Sequence, residues 1–244
     1  MLRNTRMVRA DRLPPPPEVA PLSPAVAVAG EVQARIAGLP GGPSLEARVQ
    51  APAGAVRVVV LCHPHPIYGG SMHSPVPLAI AKCLADHHDE HPLVAWLRFN
   101  FRGVGASEGK YADGQGEVDD VCAAIEHARR VAPGAPLTVC GHSFGSFVGL
   151  RAAVRDGRVD RLLLLAPSTR FFAFRRGELR FGGKASVFVG DRDELCSVDE
   201  ARALADELGA DLRIFEGFDH HFMKSRRAMA EAALSVIAPE SVSR

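Results

Sequence analysis

Hydrophobic and polar positions alternate with a changing period along this chain. Val32–Ala37 and Leu45–Gln50 switch apolar and polar residue by residue, and Gly41-Gly42-Pro43 lies between them. That period of two, broken by turn residues, predicts an antiparallel pair at a sheet edge. Val56–Cys62 is a near-continuous apolar run, the pattern of a strand buried on both faces. Leu93–Phe99, Leu137–Cys140, Arg161–Ala166, Ala185–Val189 and Asp211–Phe215 are further short apolar segments read as strands.

Between them the spacing lengthens to three and four. Leu78, Ala81 and Leu84 predict a helix over Pro77–Asp86. Val118, Val121, Cys122, Ile125 and Ala128 do the same for Glu117–Val131, whose acidic start suits the positive end of the helix dipole. Further helices are expected from just after Ser143 to about Val154, over Val198–Leu208 and over Phe222–Ile237. Alternating strands and helices imply an α/β fold with one mostly parallel sheet of eight strands and helices on both faces. About 17 residues separate Ala166 from Lys184, too few for a separate cap domain.

Composition narrows the setting. The chain has 244 residues, 29 basic and 28 acidic, and a net charge of +1, which argues against a nucleic-acid partner. It holds no apolar run long enough for a transmembrane helix, so no membrane association is expected. Five scattered cysteines with no C-x-x-C pair read as reduced core thiols and point to the cytoplasm. Residues 1–30, rich in Arg and Pro, are expected to be a disordered tail, with a domain over 31–238 and a short tail over 239–244. Oligomeric state is left open.

The chemistry centres on Gly141-His142-Ser143-Phe144-Gly145. A strand is expected to end at Cys140 and a helix to begin just past Ser143, the strand–turn–helix setting that projects a serine hydroxyl above a sheet. A serine hydroxyl needs a base, and the base an orienting carboxylate. Gly190-Asp191-Arg192-Asp193, after one predicted strand, offers two acids. Phe218-Asp219-His220-His221, after the last, offers two bases. The order Ser, acid, His is the one this elbow requires. An oxyanion needs two backbone N–H donors. Phe144 supplies one; the second is expected from the loop His63-Pro64-His65-Pro66-Ile67-Tyr68, in which the prolines cannot donate. No metal or organic cofactor is called for.

Over residues 31–238 the chain resembles the α/β-hydrolase fold. His63-Pro64-His65-Pro66 with Tyr68-Gly69-Gly70-Ser71-Met72, the Arg98–Ser107 segment and Gly116–Asp120 together resemble a small bacterial family of serine hydrolases that lacks a lid. That resemblance favours Asp193 over Asp191 and His220 over His221. It makes His65 the preferred second oxyanion donor, with Ile67 and Tyr68 as alternatives. It implies a hydrolase acting on a small ester-type molecule; thioesters, lactones and amides would suit the same triad, and a catalytically silent binding protein is the rival from another class. His142 and His221 depart from the family's residues. With Tyr68, Phe171 and Phe172 they are candidates for the substrate pocket.

Other patterns carry less. His63, His65 and His73 resemble a metal set only in spacing, and a structural or pocket-lining role is expected of them. His87, His88 and His91 with Asp89 and Glu90 read as a solvated helix end. Gly103–Gly109 fails the dinucleotide fingerprint, since Glu108 takes the place of the third glycine. Arg98 and Arg102 are expected to tie loops. In Thr169–Phe181, Arg170, Arg175 and Arg176 are candidates for steering an anionic substrate, against a bland reading in which the phenylalanines only pack on the sheet.

Overall fold

The computed structural model describes residues 25–87, 93–172, 174 and 180–239. The His88–His91 cluster, Arg175, Arg176 and most of both expected tails lie outside them. The strands are β1 (Val32–Ile36), β2 (Leu45–Gln50), β3 (Arg57–Cys62), β4 (Val94–Phe99), β5 (Leu137–His142), β6 (Arg161–Leu165), β7 (Lys184–Gly190) and β8 (Asp211–Phe215). The α-helices are α1 (Pro75–Asp86), α2 (Gln115–Val131), α3 (Phe144–Asp156), α4 (Val198–Leu208) and α5 (Arg226–Ile237).

One eight-stranded sheet runs in the order β1-β2-β4-β3-β5-β6-β7-β8. β1 and β2 form the antiparallel edge expected from their alternation, and β3 to β8 pair parallel. Val58, Val60 and Cys62 join the core beneath α2, α3 and α4, while Val59 and Leu61 join the core beneath α1 and α5. A strand with both faces buried must read as a continuous apolar run, and β3 does. Each such valine or leucine contributes about 1.5–3 kcal/mol on burial.

Several boundaries move, three of them with a clear cause. β5 runs two residues beyond Cys140, because Gly141 and His142 still pair with Leu164 and Leu165 of β6. α5 begins at Arg226, not Phe222, since Ser225 caps it through Ala228 N–H and Phe222 takes a left-handed φ of 51°. The fold also starts before residue 31: Val28 is buried, and the Val26 carbonyl and the Val28 amide are both hydrogen-bonded, to Arg98 and Glu31.

Beneath that segment lies a buried ion pair. Arg98 donates from Nε and Nη2 to the Glu31 carboxylate at 2.7 and 2.6 Å, and from Nη1 to the Met72 carbonyl at 2.8 Å. Burial alone would raise the Glu31 carboxyl, but bonds from Arg98 and the Val28 amide hold it below its ordinary value. Arg102 grips Asp120 through two nitrogens, so both arginines tie loops as expected.

Candidate active site

The elbow is made by contact between backbones. A Cβ on Gly141 would sit 2.2 Å from the Gly145 carbonyl oxygen, and one on Gly145 would sit 2.4 Å from that of Cys62. Only glycine permits such approach. Ser143, between them, is held at φ 57° and ψ −117°, a region that costs a non-glycine residue of order 1–3 kcal/mol. The surroundings enforce it. Ser143 N–H donates to the Leu165 carbonyl at 2.9 Å, and the buried Ser146 hydroxyl donates to the carbonyls of Gly141 (2.7 Å) and Leu165 (3.1 Å). The elbow is thereby fastened to the end of β6.

Ser143 Oγ lies 3.0 Å from His220 Nε2, and His220 Nδ1 lies 2.9 and 3.0 Å from the two oxygens of Asp193. Asp193 Oδ1 also accepts the amides of Leu195 (2.8 Å) and Cys196 (3.1 Å). An ionised carboxylate only accepts, so Nδ1 of His220 carries the proton and Nε2 is free to accept from Ser143. All three side chains are buried.

Of the paired candidates, Asp191 and His221 fall outside this chain of bonds. Asp191 accepts from Gly217 N–H at 2.6 Å and staples the turn after β8. His221 is exposed, its ring edge-on to that of His220. His142 does not line a pocket: it is buried beneath His220, its Nε2–H donating to the His220 carbonyl at 3.0 Å. Burial, then the neighbouring His220, pushes its imidazole well below the ordinary value, so it is neutral.

The loop after β3 spends most of its donors on itself. Ile67 N–H bonds His65 Nδ1 (3.3 Å), and Tyr68 N–H bonds the His65 carbonyl (3.2 Å). His65 Nε2 then holds the proton and faces the Tyr111 hydroxyl at 3.2 Å. The His65 ring is packed among Tyr68, Phe144, Tyr111 and Phe172, and burial drives its pKa down to about 3. His63 is engaged through both nitrogens, with the Pro64 carbonyl and Phe101 N–H. His73 Nδ1 accepts from Val26 N–H. Spacing suggested a metal set, but these nitrogens serve the loop.

Phe171 and Phe172 are buried in the core, with Phe172 stacked on Phe147 at 4.8 Å and also touching Phe144. Phe172 therefore backs the site while packing against α3. Arg170 is exposed and donates to the Glu194 carbonyl at 3.4 Å. Ser168 was missed in the sequence: buried on the loop after β6, its Oγ lies 2.7 Å from Ser143 Oγ. No motif marks it. Only the strand order, which sets the end of β6 beside the elbow, brings it there.

Residues 56–174 match the family described as serine aminopeptidase, S33. An α/β serine hydrolase homologue from Coxiella burnetii superposes with a TM-score of 0.73 at 29% identity, over 88% of this chain and 100% of that one. A serine hydrolase without a lid from Xanthomonas campestris gives 0.73 at 27% identity, over 89% and 99%. An uncharacterised protein of Rickettsia prowazekii is 29% identical over 187 residues, 72% of this chain and 76% of its own. The strand order, the strained turn between β5 and α3 and these likenesses agree: the chain has the α/β-hydrolase fold and is similar to serine hydrolases built on it.

Proposed function

We propose that the protein cleaves a small carboxylic ester through an acyl-enzyme on Ser143. The observation that carries this reading is the continuous hydrogen-bonded chain from Ser143 through His220 to Asp193. Ser143 Oγ attacks the acyl carbon as His220 Nε2 takes its proton. His220 returns that proton to the leaving alcohol, and Asp193 holds the tautomer and stabilises the imidazolium. Phe144 N–H, at the start of α3, and His65 N–H are the two oxyanion donors. The engagement of Ile67 and Tyr68 amides within their own loop supports His65 over them. Water then releases the acid.

An ester suits such a site, because His220 can return one proton to the leaving alcohol. The neutral His65 and the Phe172 ring beside it support an uncharged acyl group. The substrate is a small molecule, with neither nucleic acid nor membrane as partner. Five buried, unpaired cysteines support a cytoplasmic setting. A fluorophosphonate probe should label the folded protein, and Ser143→Ala should abolish labelling. A panel of esters, thioesters, lactones and amides should then show turnover highest on short esters. Failure of the folded protein to label would leave a binding protein in place of an enzyme.

A further inference from the structure

Ser143 has one hydroxyl proton and two oxygen neighbours or bases within reach: His220 Nε2 at 3.0 Å and Ser168 Oγ at 2.7 Å. If the Ser143 proton points at His220, as attack requires, Ser168 must be the donor in the second bond. We propose that the Ser168 hydroxyl is a further catalytic group, which donates to Ser143 Oγ and speeds its departure from the acyl-enzyme. This rests on the acyl-enzyme reading given above.

Ser168 is built into place. Its carbonyl accepts the amides of Phe171 (3.1 Å) and Phe172 (3.0 Å), closing a turn around it. Ala166, two residues before, is held at a left-handed φ of 45° with its amide on the Phe188 carbonyl at 2.8 Å. Pro167 stiffens the link. The Leu165 carbonyl, one residue earlier, is the atom that receives both Ser143 N–H and the Ser146 hydroxyl. Both hydroxyls therefore hang from one rigid junction between β6 and the elbow, and Ser168 is only 1% exposed.

The chemistry gives the bond a preferred moment. In the acyl-enzyme, Ser143 Oγ is an ester oxygen and a poor acceptor. In deacylation, water adds to the acyl carbon and gives a proton to His220. The bond from that carbon to Ser143 Oγ then breaks, and its electron pair stays on Oγ. His220 Nε2 returns the proton to Oγ, and the carboxylic acid leaves. While the bond breaks, Oγ bears negative charge and the Ser168 O–H bond to it is strongest. An interaction stronger in the transition state than in the preceding intermediate accelerates that step. In acylation the same bond already exists in the free enzyme, where it lowers the nucleophile's basicity, so the gain is smaller.

The test is acyl-enzyme turnover with p-nitrophenyl acetate in wild type, Ser168→Ala, Ser168→Cys and Ser143→Ala. Adduct decay is followed by intact mass after rapid removal of the ester. Loss of one hydrogen bond of ordinary strength predicts deacylation about tenfold slower in Ser168→Ala. The adduct should accumulate, kcat and KM should fall together, and kcat/KM should stay within about twofold. Ser168→Cys, a weaker donor of similar shape, should fall between and serves if the alanine variant does not fold. Unchanged adduct decay in a folded variant, or equal losses in kcat and kcat/KM at unchanged KM, would overturn the proposal. Persisting turnover in Ser143→Ala would instead overturn the acyl-enzyme reading itself.

Discussion

At Asp193 the two carboxylate oxygens do unequal work. Oδ1 receives two amides and shares the His220 proton with Oδ2. Asp193→Asn would present an amide where only an acceptor serves, and push the proton of His220 to Nε2. We expect kcat to fall by about 10⁴-fold with the fold retained, measured by steady-state ester hydrolysis beside circular dichroism. His142 works one step further out, since its Nε2–H fixes the backbone of His220. His142→Phe removes that donor and leaves a buried carbonyl unpaired, at about 1–3 kcal/mol. Activity should drop about tenfold through kcat, with KM little changed, because His142 is buried and acts through the backbone of His220. His142 was a pocket candidate because it departs from the residues that the resembling family carries in the elbow. Strand alternation turns it the other way, and that turn could be read only once β5 was known to continue through it. That Ser143, Asp193 and His220 would come together could be anticipated because each follows a strand end, and strand ends can be seen in the hydrophobic pattern.

Among the elements, the junction of β3, β5, β6 and α3 does most to set the site. The elbow packs its backbone against the end of β3 without an intervening side chain, since a Cβ on Gly145 would also fall 2.7 Å from the His63 carbonyl oxygen. Gly145→Ala should therefore destabilise by about 3 kcal/mol and displace the loop that carries His65, measured by urea unfolding and by loss of probe labelling. Strands and helices were predicted nearly where they lie, because their periods are strong. Ends governed by side-chain caps or inter-strand pairing were not, as α5 and β5 demonstrate. Ser168 belongs to this scale: its partner is set by which strands are neighbours, and local sequence carries no mark of that.

For the molecule as a whole, buried neutral histidines and one buried ion pair dictate the response to acid. His63 and His65 are both driven down to about 3 by burial, against an ordinary value of 6.5. Below 6.5 the unfolded chain takes up their protons and the folded chain does not, so stability falls as pH falls from there towards 3. Each contributes a loss of about 2 kcal/mol between pH 6.5 and 5. Glu31, held below its ordinary value, contributes stability that is complete above 4.5 and lost as pH drops through its folded value. Chemical denaturation from pH 7 to 4 should show a steep loss, shallower in His63→Gln. Glu31→Gln, which strands Arg98 in the core, should cost about 3–5 kcal/mol at pH 7. The layered fold, with no cap domain among the described residues, was legible from segment order and spacing. The start of the packed chain was not, because residues 25–30 lack periodicity and are held by polar bonds to distant groups.

Those few residues act as a clip on the loop beside the candidate site. Val26 closes over Arg98 and His73, and Arg98 in turn holds the Met72 carbonyl at the far end of the loop that begins with His63. A chain starting at Glu31 would leave a guanidinium donor and a histidine nitrogen without these bonds, some distance from Ser143. Such a trimmed protein would keep Ser143, Asp193 and His220 in place, and on the proposed reading it would still lose rate, because the loop that carries His65 would have gained slack. On the proposed reading, a cut between Val28 and Glu31 would slow the reaction without touching Ser143, Asp193 or His220.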